Sequence, residues 1–114
     1  MDDCLFCKIA AGDIVPDLVY ETKSVLVFRD INPQAPLHVL VIPRKHISTL
    51  NDLAVDDAGL VGEMVLAAQH VVAREDYAES GYRLVMNCNG DAGQTVFHIH
   101  LHLLAGRPLT WPPG

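Results

Sequence analysis

The segment His98-Ile99-His100-Leu101-His102-Leu103 alternates histidine with an aliphatic residue, and this period of two constrains the fold more than any other stretch of the chain. Successive side chains of a strand point to opposite faces, so the three imidazoles share one face and Ile99, Leu101 and Leu103 the other. The aliphatic face can pack on a core. The imidazole face needs a separate reason. One reading is a row of solvated positions on the open face of an antiparallel sheet. Three histidines at one parity argue instead for ligand or proton-transfer roles acting together. A neutral imidazole is a competent nucleophile toward phosphorus once its neighbours fix its tautomer. Alternate residues of a strand stand roughly 6.5–7 Å apart, too far for direct imidazole hydrogen bonds without ring tilt. Backbone carbonyls or a histidine from an adjacent strand must then orient the rings, and His38, inside the apolar run Leu37–Ile42, is a candidate.

The remaining segments supply a sheet for that strand. Leu5 to Ala11 is a short apolar stretch stopped by Gly12, the pattern of a brief helix with a glycine C-cap. Leu18–Glu21 and Val25–Phe28 flank Thr22-Lys23-Ser24 as the arms of a hairpin. Ile31-Asn32-Pro33-Gln34-Ala35-Pro36 is a loop, and Leu37–Ile42 reads as a central strand ended by Pro43. From Asp57 to about Ala78 the period becomes helical. Leu60, Val61, Met64, Val65, Ala68, Val71 and Val72 form one stripe, with Asp56 and Asp57 as caps and a stop near Ser80-Gly81. His70 on this helix reads as a surface or packing residue. Tyr82–Asn87 and Phe97–Leu104 are the last strands, and Pro108, Pro112 and Pro113 leave an irregular tail. This order predicts an α+β fold: a five-stranded antiparallel sheet with one long helix on a face and a short N-terminal helix.

A length of 114 residues is one domain's worth, and with half the residues apolar and 19% charged the chain is not disordered. Fourteen acidic against eight basic residues give a net charge of −6, which argues against a broad surface for a nucleic-acid polymer or an anionic membrane. A small anion remains open to it, because backbone N–H groups can hold a phosphate unaided. Gly90-Asp91-Ala92-Gly93-Gln94-Thr95 leads directly into the histidines. Its glycines let backbone approach a ligand, and Gln94 and Thr95 add side-chain donors, although a turn also needs such glycines. No apolar stretch approaches the ~20 residues of a membrane helix. The start, Met1-Asp2-Asp3, lacks the positive and apolar opening of a secretory signal. The expected setting is cytoplasmic and reducing, where the three cysteines are thiols or metal ligands. Cys4 and Cys7 form Cys-x-x-Cys, a spacing that leaves open a zinc half-site, a redox pair and coincidence. The redox reading expects a βαβ unit, which the pattern lacks. Cys88 has no partner in sequence and reads as a small buried apolar residue.

The His-φ-His-φ-His-φ-φ pattern of His98–Leu104 resembles the signature of the histidine triad superfamily. Five further blocks, in family order, resemble its Hint branch, the histidine triad nucleotide-binding proteins: Phe6-Cys7-Lys8-Ile9, Asp30–Pro36, Val41–Ile47, Gly93–Val96 and Trp111–Gly114. The resemblance implies a single domain over residues 1–114 and a homodimer whose sheets join into one, with residues 105–114 as a tail near the partner's active site. It implies hydrolysis of purine nucleoside phosphoramidates, such as AMP joined through phosphorus to an amine or lysine, and of acyl-adenylates. In that chemistry the middle histidine, here His100, attacks the α-phosphorus and forms a nucleotidyl-histidine that water releases. Dinucleoside polyphosphate hydrolysis, as in the Fhit branch, nucleotidyl transfer, as in the galactose-1-phosphate uridylyltransferases, and non-catalytic purine-nucleotide binding are the alternatives. The tail and His102 favour Hint, since the uridylyltransferases usually carry glutamine at the third histidine.

Carried over by motif position, the resemblance assigns His102 to the phosphate and leaving-group oxygens, His38 to proton placement, and His98 to the local network. Asp30 would accept hydrogen bonds from both ribose hydroxyls, a task suited to a carboxylate. Asn87, Gly93, Gln94 and Thr95 match the phosphate-side loop, with Thr95 where serine is common. Phe6, Ile9, Ile31 and Leu40 would line the base pocket. Some superfamily members also carry the cysteine pair and complete a structural zinc site with two histidines, whose matches are His46 and His98. Cys4, Cys7, His46 and His98 would make a closed tetrahedral set. No organic cofactor is implied.

Overall fold

The computed structural model describes residues 3–114; Met1 and Asp2, which open the start read as unlike a secretory signal, lie outside it. The order is α1 (Leu5–Ala11), β1 (Leu18–Glu21), β2 (Val25–Arg29), β3 (Leu37–Pro43), α2 (Ala58–Arg74), β4 (Tyr82–Val85) and β5 (Leu101–Ala105). The five strands form one antiparallel sheet in the order β1-β2-β3-β5-β4. This is the expected α+β architecture, and no helix among the described residues is long and apolar enough to cross a membrane.

The unbroken apolar runs of β2 and β3 follow from burial on both faces. At one parity Val25, Val27, Val39 and Val41 join Leu101 and Leu103 under α2, against Met64, Ala67, Ala68, Val71 and Val72. At the other parity Leu26, Phe28, Leu40 and Ile42 meet Phe6 and Ile9 of α1. The histidine face is therefore partly covered by α1 and is not an open solvated surface. Antiparallel pairing sets Leu40 opposite His102 and His38 opposite Leu104, which brings His38 to the histidine strand.

Several boundaries differ from expectation, among them the end of β4, which falls at Val85 and not Asn87. The histidine strand pairs only from Leu101, not Phe97, because the Ile99 N–H bonds the Ile47 carbonyl and the His98 carbonyl accepts from the His100 ring. Helix α2 ends at Arg74, not near Ala78, and Asp76 two residues later takes a left-handed φ of 72°. Asp57 does not cap α2 with its side chain. One carboxylate oxygen instead accepts the Ala54 N–H at 2.9 Å, closing a short 3-10 turn, while the other meets Lys45 Nζ at 2.6 Å. That ion pair holds the Asp57 carboxyl below its ordinary range. Gly12 does cap α1, at φ 85°, and the hairpin turns on Thr22, whose hydroxyl accepts the Val25 N–H.

Candidate active site

An apolar cleft of about 740 Å³ opens on the α1 side of the sheet. Asp30 and Ile31 enter from the loop after β2, Leu40 from β3, Asn87, Gly93 and Thr95 from the glycine-rich loop, and His100 and His102 from the last strand and its approach. Phe6 and Ile9 of α1 form the wall, with Phe6 set edge-on to His100 at 5.1 Å between ring centres. Ile31 is fully exposed at the mouth, whereas Phe6, Ile9 and Leu40 are buried and serve the core as well. Leu5, Val15, Phe28 and Val96 also line the cleft and were not marked by the sequence reading; each belongs to an apolar run that looks like ordinary core.

The hydrogen bonds decide where each ring proton lies. Gln34 donates its backbone N–H to His38 Nδ1 at 3.0 Å, so the proton of neutral His38 sits on Nε2. That Nε2 is 2.9 Å from His102 Nδ1 and 3.5 Å from Asp30 Oδ2. His102 therefore accepts at Nδ1 and carries its own proton on Nε2. His100 is the reverse case: its Nδ1 lies 2.9 Å from the His98 carbonyl, which can only accept, so Nδ1 holds the proton and Nε2 keeps a lone pair. One cleft thus holds a ring nitrogen with a free lone pair and a ring N–H donor, with their ring centres 5.1 Å apart. Burial lowers the His38 pKa, against the pull of Asp30. Burial, followed by the neighbouring His100 and His38, lowers that of His102 to about 4. Both stay neutral near pH 7, as the proton assignment requires.

Gln94 departs from expectation. It is buried outside the cleft, its Oε1 accepts the Asn89 N–H, and its Nε2 donates to the Ser48 and Val96 carbonyls. Its backbone N–H bonds the Asn89 carbonyl. With both side-chain functions engaged, Gln94 braces the loop that carries Gly93 and Thr95 and has no side-chain donor directed at an anion.

His98 is fully buried, with Nε2 donating to the Pro43 carbonyl at 2.7 Å. This leaves the Nδ1 lone pair facing Cys4 Sγ at 3.4 Å and Cys7 Sγ at 3.5 Å. His46 Nδ1 lies 3.2 Å from Cys7 Sγ, while its Nε2 meets Ser48 Oγ. Cys4 is the N-cap of α1 and Cys7 lies in its first turn, so the three-residue spacing turns both sulfurs the same way. The four ligand atoms lie within 4.8 Å of one another. Zinc bonds of ~2.3 Å to sulfur and ~2.0–2.1 Å to nitrogen at tetrahedral angles place S and N about 3.6 Å apart. The set fits zinc in donor chemistry, in spacing and in the outward bond that fixes each imidazole. Burial and the adjacent Cys4 sulfur push the Cys7 thiol up, a shift that a bound cation reverses. Asp30, His38 and His102 also cluster, yet they fit a metal poorly because the Gln34 N–H leaves the proton on the very nitrogen that would have to ligate. His70 is exposed and stacks on Tyr20 at 4.2 Å, away from either cluster.

A buried-walled cleft with paired, tautomer-fixed histidines on such a sheet defines a histidine triad domain. The HIT domain family model matches residues 11–109, and the chain belongs to that family. It is 46% identical over 108 residues to the purine nucleoside phosphoramidase of Escherichia coli (strain K12), covering 95% of this chain and 91% of that protein. Among solved structures it is similar to a HIT family hydrolase from Legionella pneumophila Philadelphia 1, with a TM-score of 0.96, 54% identity, and coverage of 98% of this chain and 100% of that one. It is also similar to a Zn-bound histidine triad family protein from Mycobacterium smegmatis, with a TM-score of 0.81, 34% identity, and coverage of 93% and 76%.

Proposed function

We propose that the protein is a hydrolase of purine nucleoside phosphoramidates, of the AMP-amine or AMP-lysine type, and also of acyl-adenylates. The observation that carries this reading is the opposed pair of tautomers, with a lone pair on His100 Nε2 and a proton on His102 Nε2. His100 Nε2 attacks the α-phosphorus, and the phosphorus–nitrogen bond to the amine breaks with its electron pair passing to the amine nitrogen. His102 faces the phosphoryl and leaving-group side and donates its Nε2 proton to the departing nitrogen, so the amine leaves neutral, and His38 stands behind it to adjust the proton. Water then attacks the nucleotidyl-histidine and gives one proton back to His102, and cleavage of the phosphorus–nitrogen bond to His100 releases the nucleoside monophosphate and restores His100. Asp30 takes the ribose hydroxyls. Phe6, Ile9, Ile31 and Leu40 enclose the base, and Asn87, Gly93 and Thr95 face the phosphate. The relative named as a purine nucleoside phosphoramidase supports this substrate class.

Replacing His100 with Asn keeps a side chain of similar reach and removes the nucleophile. Steady-state assay with an AMP-amine should show turnover in the wild type, none in His100→Asn, and AMP binding in both. Equal hydrolysis by the two proteins removes the mechanism. A wild type that cleaves dinucleoside polyphosphates in preference, or that binds AMP without turnover, replaces the substrate class.

Cys4, Cys7, His46 and His98 are the residues that would hold a structural zinc, whose closed ligand set has no position for water. Their place is behind the strand, where His98 leads into His100. Purified protein should contain about one zinc per chain under the tetrahedral ligand rule, and Cys4→Ala should lose it. Zinc-free protein with reactive thiols contradicts this assignment.

The working unit is a homodimer. Strand β4 ends the sheet with no strand beyond it among the described residues, and the tail after β5 leaves Trp111 82% exposed while Arg83 of β4 holds the Leu109 and Thr110 carbonyls. An open edge and a displayed tryptophan suit a second copy, whose active site the tail then approaches. A cytoplasmic setting suits Cys4, Cys7 and Cys88, none of which is in a disulfide among the described residues.

A further inference from the structure

The loop between β2 and β3 controls the proton of His38, and that loop is itself held by an arginine just past the end of β5. Gln34 stands near its apex between Pro33 and Pro36, two residues that offer no backbone donor. The Gln34 N–H bonds His38 Nδ1 at 3.0 Å, and the Gln34 carbonyl accepts from Arg107 Nε at 2.9 Å. The Arg107 Nη1 also donates to the Pro108 carbonyl at 2.9 Å, so the guanidinium ties the loop to the first turn of the tail. Gly106 permits the approach. Its φ is +97°, and a Cβ there would come within 2.8 Å of Pro36 Cβ and 3.2 Å of the Tyr77 ring. β5 ends one residue earlier, with Ala105 paired to Leu37, so the strand that carries His102 continues directly into the arginine that holds the loop.

We propose that Arg107 is a positioning residue: by holding the Gln34 carbonyl it keeps the Gln34 N–H on His38 Nδ1 and thereby sets the tautomers of His38 and His102. The role in turnover rests on the phosphoramidase reading above, whereas the tautomers do not. The N–H and C=O of Gln34 belong to different peptide units, so Arg107 acts by orienting the residue and not by polarising its amide. Without that anchor the Gln34 amide can turn away. The His38 proton is then free to move to Nδ1, His102 Nδ1 loses its donor, and the proton on His102 Nε2 is no longer assured. The chain of contacts runs Arg107, Gln34, His38, His102, with only the last facing the phosphate.

The test uses the full chain labelled with ¹⁵N-histidine, in which protonated and bare ring nitrogens give distinct resonances. Wild type should show a bare Nδ1 and a protonated Nε2 on His38. Arg107→Ala should move both His38 and His102 toward a tautomer mixture and lower kcat on an AMP-amine by about tenfold, a part of the ~10²–10⁴ that proton transfer contributes, with the Kd for AMP unchanged. Arg107→Lys retains a cationic donor and should fall between the two. Arg83→Ala, which frees the Leu109 and Thr110 carbonyls without touching Gln34, should leave the imidazole signals as in wild type. Unchanged His38 signals in Arg107→Ala, or an equal change in Arg83→Ala, overturn the proposal. A wild type without turnover overturns the phosphoramidase reading alone, since the ring signals still decide the tautomer relay.

Discussion

A histidine is a nucleophile or a proton donor only after its surroundings decide which ring nitrogen holds the proton. Here that decision is made by main-chain groups: the Gln34 N–H for His38, and through it for His102, and the His98 carbonyl for His100. No side-chain pattern marks such groups. The sequence could show which histidines share a face and that carbonyls or His38 must orient them, but not which nitrogen each contact reaches. The same arrangement has a pH signature. An unfolded histidine titrates near 6.5, while burial lowers His102 to about 4 in the folded chain. Between these values the unfolded state binds more protons, so this contribution to stability is fully present above about pH 6.5 and is lost as pH falls toward about 4. His38 is shifted in the same direction. The Tm of wild type should therefore drop as pH is lowered across this window, and His102→Gln should drop less steeply. Parallel curves for the two proteins contradict the buried neutral ring.

At the scale of elements, most segments were legible because each carried a periodic apolar pattern bounded by a recognised breaker. Helix α1, the β1–β2 hairpin and β3 lie where periodicity and Gly12, Thr22 and Pro43 put them. The errors arose where polar bonding overrides pattern. His98, Ile99 and His100 keep the alternation, yet their backbone and ring groups bond outside the ladder, so the strand pairs only from Leu101. Gln94 looked like a phosphate donor by its place in the loop. Its burial against Ser48, Asn89 and Val96 depends on a long-range approach that local sequence does not encode. The paired part of β5 is anchored by Leu103, which is fully buried between α2 and the sheet. Truncation there leaves a cavity beneath the strand that presents His102. Leu103→Ala should cost ~2–5 kcal/mol in urea unfolding, a large share of the ~5–15 kcal/mol typical of a domain. A loss under ~1 kcal/mol would place Leu103 outside the well-packed core.

At the scale of the whole molecule, one sheet separates two tasks. The α2 side holds the larger apolar core, and the α1 side holds the histidine cleft, with the Cys4, Cys7, His46 and His98 cluster behind its first histidine. A net charge of −6 is compatible with the proposed phosphate site, in which imidazole and backbone N–H groups would supply the donors. The edge of β4 and the exposed Trp111 face outward, where the proposed partner would meet them. Deleting Trp111–Gly114 should change the preference among amine leaving groups more than the Kd for AMP. An equal loss in both would make the tail merely structural. The central claim, that His100 carries the nucleotidyl group, is open to direct observation. Rapid acid-free quenching of wild type during turnover of an AMP-amine, followed by peptide mass spectrometry, should find the nucleotidyl adduct on the peptide bearing His100 and none in His100→Asn. An adduct on another residue, or steady turnover in His100→Asn, would contradict it.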